Sequence, residues 1–237
     1  MLVRTKLHLQ IVESVLELLQ QSGTFNNGSL NGLTVLYYQD IHGGDGLDQS
    51  GALIFSFDGN GHGTTIAADE DLAGTITQDQ PPPGTYSVQS NGGFNLGAGG
   101  PAGFLVSHNQ GMFVGTGSNS IFGWLEAQSA GPFSNASIAG MYVAGSVAPL
   151  DYNNGRNEIL SGSSNGTGTM VFNGESSSGD GVDQYFGTNI TYSLGANGRG
   201  TAAGQHDQFP SVVYVISPTK FVVLMPQSDS ELAVFEH

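Results

Sequence analysis

Gly23-Thr24-Phe25-Asn26-Asn27-Gly28-Ser29-Leu30-Asn31-Gly32 returns, identical or similar at most positions, as Gly131-Pro132-Phe133-Ser134-Asn135-Ala136-Ser137-Ile138-Ala139-Gly140. Further landmarks follow in the same order. Gly59-Asn60-Gly61-His62-Gly63-Thr64 parallels Ser164-Asn165-Gly166-Thr167-Gly168-Thr169, and Thr85-Tyr86-Ser87-Val88 parallels Thr191-Tyr192-Ser193-Leu194. Phe104-Leu105-Val106-Ser107 parallels Tyr214-Val215-Ile216-Ser217, and Trp124-Leu125-Glu126 parallels Val234-Phe235-Glu236. A fixed order at a nearly fixed offset of about 105 to 110 residues is the signature of an internal repeat. The chain divides into two homologous units, residues 23–130 and 131–237.

Within each unit, short runs rich in β-branched and aromatic residues alternate with Gly, Asn and Asp. In the first unit these runs are Leu33 to Gln39, Ala52 to Phe57, Gly63 to Ala67, Thr85 to Gln89, Phe104 to Ser107, Met112 to Gly115 and Ile121 to Leu125. Asp58-Gly59, Asn60-Gly61 and Asn91-Gly92 stand at their ends. Such dipeptides supply the positive φ angles of tight hairpin turns. The fold class is therefore all-β: two tandem small antiparallel β-barrels of about eight strands each, closure being favoured because it removes exposed strand edges. The consecutive prolines Pro81 to Pro83 stiffen a loop. Residues 1–22 read in two ways. Ile11, Val15, Leu18 and Leu19 have helical spacing, whereas Val15 to Gln20 has the character of Trp124 to Gln128, the closing strand of a unit.

Composition excludes several classes of function. Five Lys and Arg stand against 20 Asp and Glu, for a net charge of −15. A nucleic-acid partner needs several basic side chains on phosphates, and an anionic membrane surface needs a basic patch. No apolar run approaches the roughly 20 residues of a membrane span. The absence of cysteine excludes disulfides, thiolate metal sites and cysteine nucleophiles. Low lysine with abundant Gly, Ser, Thr and Asn points to an extracellular or cell-surface setting, although Glu13 and Glu17 interrupt any signal-peptide core after Arg4 and Lys6.

Leu30-Asn31-Gly32, Phe57-Asp58-Gly59-Asn60-Gly61, Gly84-Thr85-Tyr86-Ser87-Val88 and Phe104-Leu105-Val106-Ser107, in that order, resemble secreted bacterial lipocalin-like repeats. The second unit keeps Gly140-Met141-Tyr142 and Thr191-Tyr192-Ser193 but lacks the Phe-Asp pair. The resemblance implies a barrel and an extracellular setting, and it brings no catalytic set.

The acids are unevenly spread. Units one and two hold nine each, but the first contains no Lys or Arg and the second contains three. Between Asp40 and Asp79 the carboxylates crowd together. Calcium takes six to eight oxygens from flexible loops, so calcium or another divalent metal is the expected cofactor, with Asp45, Asp48, Asp58, Asp69 and Asp71 as candidate ligands. Asp58-Gly59-Asn60-Gly61 also opens like an EF-hand loop with Asp69 at the twelfth position, but Glu is normal there and no flanking helices are expected. His42 and His62 are the candidate catalytic residues for a hydrolase of esters or phosphoesters, in which a metal-bound water would attack. In the second unit, sequence alignment sets Ser163 and Thr167 opposite Asp58 and His62. Ser107-His108 and Gln205-His206-Asp207 lack the nucleophile elbow of a serine hydrolase.

The leading functional expectation is a non-enzymatic module that binds a ligand or surface through tandem barrels. Its expected partners are a small molecule, a carbohydrate or a cell-surface ligand, together with further copies of the repeat. The metal-dependent hydrolase is the alternative.

Overall fold

The computed structural model describes residues 24–40, 49–79, 81–117, 121–147, 157–178, 181–204, 210–226 and 231–237. The expectations for residues 1–22 lie outside them. Two antiparallel sheets account for nearly all of the described chain. The first contains β1 (Asn31–Asp40), β2 (Gln49–Asp58), β3 (His62–Leu72), β4 (Thr75–Gln78), β5 (Gly84–Thr85), β6 (Ser87–Val88), β7 (Gly93–Asn95), β8 (Ala102–Ser107), β9 (Gln110–Val114) and β10 (Ile121–Ala127). The second contains β11 (Gly140–Ser146), β12 (Asn157–Ser164), β13 (Thr169–Ser178), β14 (Gly181–Leu194), β15 (Arg199–Gly204), β16 (Ser211–Ser217), β17 (Lys220–Met225) and β18 (Glu231–Glu236). Among the described residues no helix is long and apolar enough to cross a membrane, which bears on helices alone.

The second sheet is a closed barrel in which each strand from β11 to β18 pairs with the next and β18 returns to β11. The first is a ten-stranded curled sheet ordered β4-β3-β2-β1-β10-β9-β8-β7-β6, with β5 on β3. The expectation of two equal eight-stranded barrels thus holds for one unit and needs correction for the other. Two interruptions mark the difference: Pro81-Pro82-Pro83 between β4 and β5, and a turn closed by Leu96 and Pro101, where β7 stops at Asn95 while its counterpart β15 runs on to Gly204. Proline donates no amide hydrogen and breaks a ladder. Residues Thr75 to Val88 correspond to the uninterrupted β14, yet they form three short pieces. β4 and β5 share one register on β3, with Asp69 opposite Gln78 and His62 opposite Thr85. Beyond Tyr86 the chain crosses to β7, where Ser87 faces Asn95.

Equivalent contacts fix the two corners. A short 3₁₀ turn at Asn27–Ser29 and another at Asn135–Ile138 precede the first strand of each unit. The Asn27 side-chain oxygen accepts the Val88 amide at 2.8 Å, and that of Asn135 accepts the Leu194 amide at 2.9 Å. The Tyr86 and Tyr192 hydroxyls donate to the carbonyls of Asn27 and Asn135, both at 2.9 Å.

Side chains fill both interiors. Leu36, Phe57, Tyr86, Phe94, Phe113 and Leu125 pack inside the first sheet. Met170, Phe172, Tyr192, Val213, Phe221 and Phe235 pack inside the second, where the Phe221 and Phe235 rings stack at 4.6 Å. A third cluster joins the units: Val35, Tyr37, Ala52, Ile54 and Ala67 from the outer face of β1–β3 meet Val212, Tyr214, Ile216, Val222, Leu224 and Leu232 from the outer face of β16–β18. Strand alternation explains the division, since successive residues point to opposite faces.

Candidate functional site

Among the described residues of the acidic stretch, Asp58 lies at one end of β3 and Asp69 and Asp71 toward the other. Asp58 closes the β2–β3 hairpin, and its Oδ1 accepts the amides of Asn60 at 2.7 Å and His62 at 3.0 Å. The His62 ring approaches Asp58 at 3.5 Å, with both side chains largely in solvent. The backbone bonds from His62 and Asn60 hold the Asp58 carboxyl below its ordinary pKa, because they favour the charged form. Asn165 makes the same turn in the second unit, accepting Thr167 and Thr169 amides at 2.8 and 3.0 Å. Gly59 and Gly166 match at φ 75° and 72°, and Gly61 and Gly168 at 104° and 115°. The structural counterparts of Asp58 and His62 are therefore Asn165 and Thr169, which corrects the alignment with Ser163 and Thr167. An uncharged amide thus makes the same two backbone contacts as the carboxylate.

Asp69 and Asp71 lie toward the other end of β3. Seven residues of strand separate Asp69 from His62, about 23 Å at the rise of an extended chain. Asp69 is the buried partner of Arg199, whose Nε donates to Oδ2 at 2.6 Å and whose Nη2 donates to Oδ1 at 2.7 Å. The Tyr214 hydroxyl also donates to Asp69. Asp71 is buried in a cross-strand row with Ser50 and Gln39. His42, Asp45 and Asp48 lie outside the described residues. Among the described residues no three His, Asp or Glu side chains gather as a metal-binding group.

Sequence reasoning missed the groove at the edge of the junction. Tyr37, Trp124, Val143–Val147, Lys220, Val234 and Glu236 line an open cleft of about 390 Å³. β1 and β10 supply its aromatic wall because Tyr37 and Trp124 are register partners on one face. Their rings stack at 5.5 Å with an interplanar angle of 15°, and Phe122 meets Trp124 edge-on at 4.6 Å. The Tyr37 hydroxyl donates to Glu126 at 2.5 Å. Lys220 Nζ lies 2.8 Å from Glu126 and 2.8 Å from Glu236.

The electrostatics of the groove follow from this chain of contacts. Burial and then the Glu126 charge raise the Tyr37 pKa far above its ordinary value, so the phenol stays neutral and donates. Burial disfavours the Lys220 charge, but the bonds to Glu126 and Glu236 outweigh it and the ammonium pKa is raised. The cleft therefore presents a fixed cation, a half-exposed Glu236 carboxylate and an aromatic wall. The signal for it was present in the sequence: Lys220 is one of only three bases after residue 130, set against nine acids in the same unit.

No protein-family description and no curated protein matches the chain. Among solved structures, a protein of unknown function from the DUF3598 family of Nostoc punctiforme is similar over 86% of this chain and 93% of its own, at 10% identity and a TM-score of 0.21.

Proposed function

We propose that the chain is a non-enzymatic binding module that takes a carbohydrate at the junction groove, in an extracellular or cell-surface setting. The observation that carries this reading is the Trp124 indole, backed by Tyr37 at 5.5 Å and set beside Lys220 and Glu236 in a cleft of about 390 Å³. Clefts of roughly 300–1,000 Å³ with an apolar wall and a few fixed polar groups suit small ligands. A sugar ring offers an apolar C–H face for the indole and hydroxyls for the ammonium and carboxylate. The packed interiors support binding on the outside rather than in a lumen.

Affinity electrophoresis and calorimetry with neutral and acidic soluble polysaccharides test the proposal. At least one polysaccharide should bind, and Trp124→Ala should weaken it at least about tenfold, the value of a 1.4 kcal/mol stacking contact. Binding that survives Trp124→Ala unchanged, or no binding across the panel, overturns it.

A further inference from the structure

We infer that the chain associates head to tail with further copies of itself, the β11–β13 face of one copy packing on the β8–β10 face of the next. The template for this contact is inside the molecule. The outer face of β1–β3 already packs on the outer face of β16–β18. Each unit carries both kinds of face, so each keeps one face largely uncovered, with Trp124 at the edge of the β8–β10 face already packed against the junction.

Strand registers establish that the unused faces correspond to the used ones. In β16–β18, Tyr214 lies opposite Val222 and Val222 opposite Val234; Val212 lies opposite Leu224 and Leu224 opposite Leu232. In β8–β10, Phe104 lies opposite Met112 and Met112 opposite Trp124; Ala102 lies opposite Val114 and Val114 opposite Phe122. The rows coincide, and all of them are apolar. Yet Phe104 is 61% exposed and Val114 51% exposed, whereas Tyr214 and Leu224 are fully buried.

The other unused face shows the same contrast. Val35 on β1 is fully buried, while its counterpart Val143 on β11 is 62% exposed. Ala52 on β2 is fully buried, while its counterpart Ile159 on β12 is 63% exposed, and Met141 beside them reaches 68%. Apolar side chains clustered in the open mark an interaction surface. A shallow hollow of about 540 Å³ lies here, lined in part by Val143, Ile159, Glu175 and Phe186.

The intramolecular contact states what fills that hollow. Tyr214 reaches Asp69, which pairs with Ala52 across β2 and β3. Glu175 pairs with Ile159 in the same way across β12 and β13. Phe104, at the Tyr214 position, therefore lands beside Glu175 and Ile159. The polar latch is not repeated: Arg199 opposite Tyr214 becomes Gly93 opposite Phe104. Contact between copies consequently lacks the ion pair, meets the polar Ser161 and Asn173 where Ile54 and Ala67 stand within the chain, and is weaker than the contact within a chain. Two different patches meet, so the association is heterologous, giving a ring if the rotation closes and a filament if it does not.

Sedimentation of the full chain across a concentration series into the millimolar range should show mass rising with concentration. The rise should be larger in high salt, because each copy carries −15 and screening removes the repulsion. Val143→Lys with Ile159→Lys blocks one face, and Phe104→Lys blocks the other. Either variant alone should stay monomeric, and their mixture should stop at a one-to-one dimer. A second readout uses the absence of native cysteine: chains carrying Phe104→Cys and chains carrying Ile159→Cys should cross-link with each other and not with themselves. A wild-type chain that stays monomeric throughout overturns the inference. So does a blocked variant that associates alone, or a Phe104→Cys chain that cross-links only to its own kind.

Discussion

Asp58 and Asn165 occupy the same place in the two units, each accepting two backbone amides through one side-chain oxygen at 2.7 to 3.0 Å. The charge of Asp58 is thus dispensable to the turn. Asp58→Asn should leave the denaturation midpoint at neutral pH unchanged, while Asp58→Ala should lower it. The sign of the acid dependence follows from the lowered carboxyl pKa: the stabilisation is present above the unfolded value of 3.8 and is lost as pH falls toward the folded one. Asp58→Asn should therefore flatten the loss of stability below about pH 4. A steeper acid transition in the variant would contradict this assignment.

Arg199 and Asp69 tie the two sheets together across 130 residues of chain. The Asp69 side chain is only 1% exposed. Arg199→Ala leaves a buried carboxylate without its cation and should cost about 3–5 kcal/mol by urea denaturation. Replacing both residues with apolar ones of similar size should recover most of that loss. If Arg199→Ala costs no more than a surface substitution, the pair does not organise the junction.

Alkaline pH should loosen the same junction. Burial, followed by carboxylate neighbours, raises the pKa of Tyr37 beside Glu126 and of Tyr214 beside Asp69. A phenol whose folded pKa is raised contributes fully below the unfolded value, about 10, and ever less as pH climbs toward the folded one. Melting temperature should fall steadily above about pH 10, with phenolate absorbance appearing together with unfolding. Phenolate that appears well before unfolding would show these hydroxyls to be open to solvent.

Gly51 faces Tyr38 across β1 and β2, and a Cβ at Gly51 would sit 2.5 Å from the phenol carbon and oxygen. The ring cannot swing away freely, because its hydroxyl donates to Glu70 at 2.9 Å. Gly51→Ala should cost about 1–3 kcal/mol by overpacking. Gly51→Ala combined with Tyr38→Leu should regain part of it, and equal stability of the single variant and wild type would refute the argument.

Much of the fold was legible because hairpins are local. Asp58-Gly59 and Asn91-Gly92 mark turns through neighbouring residues alone, and the repeat doubles each signal. β4 was not legible: Thr75 to Gln78 is short and polar, and it is a strand only because β3 extends to Leu72 and offers an edge. Partners distant in sequence illustrate the same limit. Asp69 reads as a spare carboxylate in an acidic run until Arg199 arrives from the other unit. Trp124 reads as core until β11 and β18 form the opposite bank of the groove.

The three prolines give the first unit a seam where the second has a continuous wall. Here β3 is held near Leu72 by β4 and near His62 by β5, with Pro81–Pro83 between. Such a sheet has a place to unzip that its neighbour lacks, so opening of the chain should begin there and stop at the closed barrel. Proline also leaves no amide hydrogen for a foreign strand to pair with. The seam can part without recruiting another sheet, and contact between copies is left to the side chains on the faces.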